Sequence, residues 1–440
     1  MDEMQLVREA GQDPQALERL YRAAASEGRA AEFAAALATL HAESPDSVLY
    51  AAWHYRLAEP LTAPQAVSRG AHWKLAVPLS LVCGLAFWAL SGERGESSFV
   101  EFVLLWAPIA AVLAIAYLAL AAKGPYRRAL LLALGLAAVS AYARLTSSPM
   151  PTGDPFGGGA AGDQYLLMAL HLPLMAWAAL GLLVLGWRSG ARDRFAFLSK
   201  SVEVAITAGL YLIVGGLFGA ITIGLFAALD LEPSEMAVRL LFAGGFGLIP
   251  VLAVATSYDP SIPPAEQEFG RGLTRLISTL LRLLLPLALV VLVIYAGFIP
   301  FRFLEPFQNR GTLIIYNILL FAVMGLLIGV TPAREEESES GGMRLLGAGV
   351  LALTILAEAV SLYALAAIIY RTVGGGFTPN RLAVLGWNLV NIAILALMIY
   401  RQLKAGRAGW IGAMHRSLSN GAALYAAWGL LLILLLPWLF

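Results

Sequence analysis

The residues most able to do chemistry in this chain are polar side chains inside apolar sequence. Glu358 lies in one apolar run, Tyr363 lies within two turns of it, and Asn388 and Asn391 lie in the next run. A carboxyl group and two amides in apolar surroundings can bind a proton, a cation or a polar solute. The alternative is structural, because a protonated glutamate can join two helices by a hydrogen bond worth about 0.6 kcal/mol on average.

The spacing of these residues predicts that they share one level. Glu358 precedes Tyr370 by twelve residues, and Asn391 follows Pro379 by twelve. At 1.5 Å per helical residue, each lies about 18 Å from the connecting turn. Asn388 lies one turn nearer that turn, on the face of Asn391. We therefore expect a polar site between two helices.

The segment that joins these runs has the composition of a tight turn between helices. Its glycines permit a chain reversal, Thr378 can cap the next helix, and Pro379 suits the first helical position. Arg381 opposes the helix dipole by about 0.3 to 1 kcal/mol, so we expect a carboxylate or a lipid phosphate to hold it. The motif comprises Tyr370, Arg371, Thr378, Pro379, Asn380 and Arg381.

The same residues resemble a known family. They are similar to the Tyr-Arg…Gly-x-Thr-Pro-Asn-Arg signature of a group of bacterial polytopic inner-membrane proteins classified as a domain of unknown function. The third glycine and Phe377 depart from that pattern. The resemblance covers residues 75–440 and implies a bacterial inner membrane, but it supplies no activity, substrate or catalytic residue.

A basic helix face precedes the seventh apolar run. Arg271, Arg275 and Arg282 recur at helical spacing, with leucine and isoleucine between them. Anionic lipid headgroups would favour such an interfacial helix by about 1 kcal/mol per basic residue. The alternative is that these arginines only follow the rule that places positive charge in the cytoplasm, with Arg282 extending its side chain to the interface.

Eleven apolar runs must position all of these residues. The 440-residue chain is 59% hydrophobic and only 13% charged, against about 25% charged residues in soluble domains. Each run can cross about 30 Å of hydrocarbon as a helix. We therefore predict an all-α polytopic membrane protein. The runs are approximately 73–91, 99–122, 127–146, 164–187, 203–228, 236–256, 278–299, 311–331, 344–370, 379–402 and 420–440.

Residues 1–70 precede this membrane domain of residues 71–440 and are mostly polar. Three amphipathic stripes predict three short helices, weakly similar to a tetratricopeptide unit. They form either a plain cytoplasmic helical cap or a module that docks a protein partner at residues 1–65. Lysine and arginine concentrate in the loops 123–128, 188–200 and 401–416, which predicts a cytoplasmic N-terminus and an exported C-terminus.

Composition excludes several functions. The net charge of +1 disfavours nucleic acid as a partner. The single Cys83 and five unclustered histidines give no metal motif, and the glycine clusters lack the residues of a phosphate loop, so we expect no metal and no cofactor.

Two functions remain open on the sequence. One is a transporter or channel-like protein with a polar site in the membrane, and the other is a scaffold or sensor subunit of a larger complex. A lipid-modifying enzyme is less favoured, because no nucleophile and base occur at a readable spacing.

Overall fold

The computed structural model describes residues 3–11, 13–26, 29–58, 71–92, 96–146, 160–269, 272–332 and 341–440. Nearly all of these residues are helical, and no strand occurs among them. The chain divides into two compact units, Met1–Arg69 and Gly70–Phe440.

The N-terminal unit is a small helical bundle with its own core. Asp13 accepts a hydrogen bond from the backbone N–H two residues further on and so caps the second helix. The rings of Tyr21, Phe33 and Trp53 lie 5.5 to 5.9 Å apart at its centre. The sequence predicted three helices, and the structure adds a short first one. The helices are α1 Glu3–Ala10, α2 Pro14–Ser26, α3 Ala30–Glu43 and α4 Val48–Ala58.

The second unit confirms the predicted membrane architecture. Among the described residues, eleven helical segments are long and apolar enough to cross a membrane. One segment is α10 Glu235–Arg239 continued by a π-helical turn, Leu240–Gly244, into α11 Gly245–Ser257. A short helix, α13 Glu305–Gln308, connects two others. The remaining spans are α5 Trp73–Leu90, α6 Glu96–Ala121, α7 Tyr126–Thr146, α8 Ala160–Leu185, α9 Ala191–Ala228, α12 Gly272–Phe298, α14 Arg310–Val330, α15 Gly341–Gly375, α16 Pro379–Ala405 and α17 Trp410–Leu439.

Contacts between helix ends fit spans that alternate in direction. We name the membrane face at which α5 begins the N-side, and the face at which α15 turns into α16 the C-side. On the N-side, Gln402 of α16 bonds to the backbone of Gly347 in α15. On the C-side, Tyr142 of α7 bonds to the backbone of Leu434 in α17.

Several helices are longer than the apolar runs that predicted them; α17, for example, begins at Trp410 rather than near residue 420. α9 begins at Ala191 rather than near residue 203, so Lys200 lies in a helix and not in a loop. α15 continues to Gly375, so Tyr370 and Arg371 lie within it rather than in the turn. Hydropathy could not locate these ends, because a helix can continue into polar sequence outside the hydrocarbon.

Glycines bring α5 and α11 into backbone contact. A Cβ atom on Gly247 would lie 2.7 Å from the Cα of Gly84. A Cβ atom on Gly84 would likewise lie 2.7 Å from the carbonyl O of Gly244. Small residues at such positions let membrane helices pack closely by van der Waals contact.

Candidate functional site

The turn between α15 and α16 has the predicted local chemistry. Thr378 accepts a hydrogen bond at Oγ1 from the backbone N–H of Arg381, and Pro379 occupies the first turn of α16. Gly376 has a φ of +81°, which a side chain would disfavour. Only residues 376–378 connect the two helices, with Asn380 half-buried in the first turn of α16.

The two helices of this hairpin present matching faces. Gln402 donates a hydrogen bond from Nε2 to the carbonyl O of Gly347 at 2.8 Å. Glu358 and Ser361 follow Gly347 by eleven and fourteen residues. These intervals are close to three and four helical turns, so both residues lie on the face of α15 that Gly347 presents to α16.

Asn391 and Asn388 have the same relation to Gln402 on α16, which they precede by eleven and fourteen residues. Because the helices run antiparallel, Glu358 lies near the level of Asn391, about 17 Å from the Gln402–Gly347 bond. Glu358 is also the central residue of α15, seventeen residues from each end of that helix.

Several polar atoms at this level are buried without a hydrogen-bond partner. Asn388 is completely buried, and neither its Nδ2 nor its Oδ1 has a partner. The Nδ2 of Asn391, the Oγ of Ser361 and the Oε2 of Glu358 are also unpartnered. No hydrogen bond of these described side chains joins Glu358 to either asparagine. Unsatisfied polar groups are costly in a membrane, so these atoms suit a polar ligand.

The side-chain oxygen of Asn391 has a hydrogen-bond partner, whereas its Nδ2 has none. The hydroxyl of Tyr425 in α17 donates a hydrogen bond to Asn391 Oδ1. The Tyr425 ring lies 5.3 Å from the ring of Trp387, which is adjacent in sequence to Asn388. Neither aromatic residue was predicted from the sequence, because its only signal was a polar atom on a ring within an apolar run.

His171 of α8 adjoins the same cluster. Its Nε2 accepts a hydrogen bond from Trp387 Nε1 at 2.8 Å, and its Nδ1 lies 2.5 Å from the carbonyl O of Leu167. This arrangement requires the proton on Nδ1 and leaves the imidazole neutral. Contacts thus connect the imidazole, the phenol and the amide of Asn391, and the Glu358 carboxyl group lies near the level of Asn391.

Tyr363 does not belong to this cluster. It lies five residues beyond Glu358, about 140° around α15, and its hydroxyl donates to the carbonyl O of Phe303 at 2.7 Å. Its ring packs against Phe303 and Phe307 near the C-side. Proximity in sequence had suggested a common site, but helical rotation separates the two side chains.

Both arginines of the motif donate to backbone carbonyl groups, and the lipid phosphate expected at Arg381 stays a prediction. Arg381 donates from Nη1 to the carbonyl O of Gly376 rather than to a carboxylate. Arg371 donates to the carbonyl O of Gln308 at 2.9 Å. Two arginines of the predicted basic face lie within α12, where Arg275 is exposed and Arg282 is half-buried.

Arg271, the third arginine of that face, lies outside the described residues.

A buried ion pair lies elsewhere, in the first third of α9. Lys200 Nζ is 2.7 Å from Glu203 Oε2, and both side chains are buried. The ammonium group also lies 5.1 Å from the centre of the Phe269 ring. The concentration of basic residues had predicted a loop at 188–200, whereas Lys200 lies in α9.

An apolar cavity of about 680 Å³ lies between α6, α8, α9 and α11. Lys200, Ser201 and Tyr258 are the charged or hydroxyl-bearing residues of its lining, towards the N-side. Burial and the nearby carboxylates of Asp259 and Asp193 raise the pKa of Tyr258. Asn388 and Asn391, which we call the asparagine cluster, do not line this cavity.

The fold and these buried groups define the class of protein: the chain is a polytopic α-helical integral membrane protein. Neither a family model, nor a curated protein, nor a solved structure matches it.

Proposed function

We propose that this protein is a membrane transporter or channel-like protein whose polar site lies between α15 and α16. The observation that carries the proposal is the completely buried amide of Asn388, which has no hydrogen-bond partner. Asn391 lies one turn away on the same helix face, and Glu358 faces them from the middle of α15.

The side chains have complementary roles in this proposal. Glu358 binds a proton or a cation, because a carboxyl group in the membrane interior must be neutralised. The amides of Asn388 and Asn391 donate to and accept from a polar solute or a partly hydrated ion. The hydroxyl of Tyr425 donates a hydrogen bond to the Oδ1 of Asn391. The Nδ2 of Asn391 therefore stays available to donate to the ligand.

A reconstitution experiment tests this function. The full chain is inserted into liposomes that contain a pH-sensitive dye, and gradients of Na⁺, K⁺ or glycerol are imposed in turn. We expect at least one gradient to move protons faster than in protein-free liposomes, and we expect Glu358→Gln to abolish that movement. Glu101→Gln is the matched control, because Glu101 pairs with Arg144 at 3.1 Å at the C-side end of its helix.

Two results would count against the proposal. One is that no gradient accelerates proton movement. The other is that Glu358→Gln transports as the wild type does but unfolds more easily, which would favour a structural role for this carboxyl group.

A scaffold or sensor subunit is the second candidate, and the N-terminal unit favours it. Val48 and Tyr55 are exposed on α4 although the unit has its own core. The rings of His41 and His54 lie 4.9 Å apart, tilted by 32°, beside Tyr55. This surface suits a protein partner at residues 1–65. We expect Val48→Glu with Tyr55→Ser to abolish stable co-purification of that partner, and an unchanged complex would contradict the interpretation.

We propose a bacterial inner membrane as the location, on the family resemblance, with the N-side facing the cytoplasm. Support for the orientation comes from basic side chains in the N-side connections, such as Lys123, Arg188 and Arg407. We expect a reporter enzyme fused after Phe440 to be active only when it requires an exported compartment. Activity of a cytoplasm-dependent reporter at that position would reverse the orientation.

A further inference from the structure

A second cavity lies on the C-side and is not lined by Asn388 or Asn391. It has a volume of about 510 Å³ and lies between α13, the end of α15 and the start of α16. Two guanidinium groups and two aromatic rings contribute to one small space. Its lining consists of Phe307, Tyr370, Arg371, Val373, Gly374 and Arg381.

Backbone carbonyl groups hold both arginines in place. Arg371 donates from Nη1 to the carbonyl O of Gln308, and Arg381 donates from Nη1 to that of Gly376. Each bond uses one of the five N–H donors of a guanidinium group. The ion pairs among the described residues include neither arginine. The nearby Glu305 instead accepts from Asn309 Nδ2 at 3.3 Å.

Gly375, at the end of α15, makes room for one of these cations. A Cβ atom on Gly375 would lie 2.6 Å from Nη2 and 2.7 Å from Nη1 of Arg381. The guanidinium group therefore lies directly against the end of α15. Arg381 also occupies the first turn of α16, where a positive charge opposes the helix dipole. The geometry thus keeps two like charges near one cavity.

We propose that this cavity binds a phosphate group at the C-side surface. Two guanidinium groups match the charge and the oxygen geometry of a phosphate, which accepts paired N–H donors. The rings of Phe307 and Tyr370 pack 5.5 Å apart in the same lining, and aromatic residues are enriched at membrane interfaces. The phosphate is that of a lipid headgroup or a free anion. This inference does not rest on the asparagine cluster.

Two binding measurements on the full chain in neutral detergent distinguish the sources. Inorganic phosphate is titrated against the thermal unfolding midpoint, and retention of phosphatidylglycerol is followed by native mass spectrometry. Stabilisation by phosphate alone identifies a free anion, and retention of the lipid alone identifies a headgroup. Either result supports the proposal, whereas neither occurring overturns it.

Substitutions of the two arginines test whether phosphate binds in this cavity. We expect Arg371→Gln and Arg381→Gln each to weaken binding by at least about tenfold, because each removes charged hydrogen bonds. Arg302→Gln is the matched control, since Arg302 is exposed on the same side and does not line the cavity. Equal losses in the control, or no loss in the two cavity variants, would overturn the assignment.

Two further substitutions keep the test decisive if a glutamine variant fails to fold. Arg381→Lys retains the charge but loses the forked donor geometry, and Gly375→Ala displaces the guanidinium group without removing it. We expect both to bind phosphate more weakly than wild type while remaining folded. Wild-type affinity in both would overturn the role of Arg381.

Discussion

Buried polar groups differ between two regions of the membrane unit. In α9, Lys200 and Glu203 neutralise each other within one helical turn, at the edge of an apolar cavity. In the α15–α16 hairpin, Asn388 and the Oε2 of Glu358 are buried without partners. The first region satisfies its polar groups internally, whereas the second leaves several of them without a partner, which supports the proposed binding site. Whether a buried polar group has a partner therefore distinguishes a structural pair from a candidate binding site better than its polarity does.

The largest expected effect on stability comes from breaking the buried pair of Lys200 and Glu203. Lys200→Ala leaves the Glu203 carboxylate buried without its partner, and we expect a loss of about 3 to 5 kcal/mol in the free energy of unfolding. Titration with a denaturing detergent measures that loss. The double variant Lys200→Met with Glu203→Leu is the control and should lie close to wild type. A fully stable single variant would remove one side of the comparison.

The next effect tests how closely the hairpin packs against α17. A Cβ atom on Gly386 would overlap the ring of Trp428, so we expect Gly386→Ala to cost about 1 to 3 kcal/mol. The control is Gly209→Ala in α9, where no atom lies within 4 Å. That variant should be neutral or gain up to about 1 kcal/mol. Equal costs at both positions would mean that the hairpin is no more tightly packed than α9.

A smaller effect concerns the hydroxyl group that orients Asn391. Tyr425→Phe removes the bond to Asn391 Oδ1, and we expect it to cost about 0.6 kcal/mol of stability and most of the transport activity. Tyr363→Phe removes a hydroxyl bonded to a backbone carbonyl outside the cluster. It should lose similar stability and keep its activity. Equal activity in the two variants would contradict an orienting role.

The smallest effect on stability is the sharpest test of the comparison. Asn388→Leu removes an amide that makes no hydrogen bond within the protein, so we expect stability within about 0.5 kcal/mol of wild type or higher. Transport should be lost. Asn391→Leu is the control, because it also leaves the Tyr425 hydroxyl without its acceptor and should destabilise. If the Asn388 variant unfolds as readily as this control, Asn388 is structural.

Much of the fold could be predicted because the hydrocarbon fixes the length of each span. A backbone that must satisfy its own hydrogen bonds forms helices of about twenty residues, and all eleven spans follow from this rule. The turn could also be predicted, because it depends on local chemistry. The Thr378 hydroxyl can cap a helix, and Pro379 suits the first helical position, whatever the rest of the fold. The start of α9 at Ala191 had no such signal, because polar residues extend that helix beyond its apolar run.

The candidate site was only partly predictable. Helical periodicity placed Asn388 and Asn391 on one face without knowledge of their neighbours. The bond between His171 and Trp387 joins residues 216 positions apart, and such contacts depend on how distant helices pack. Periodicity also separates Tyr363 from Glu358, although closeness in sequence had grouped them.

The central position of Glu358 in α15 has an electrical consequence. A charge that crosses the whole membrane exchanges about 2.3 kcal/mol with each 100 mV of membrane potential. A proton that travels from either surface to the middle of this helix crosses about half of that field. The free energy of protonating Glu358 therefore changes by about 1 kcal/mol per 100 mV of membrane potential. The change is favourable for a proton that enters from one surface and unfavourable for one that enters from the other. Occupancy of this carboxyl group would thus respond to voltage as well as to pH.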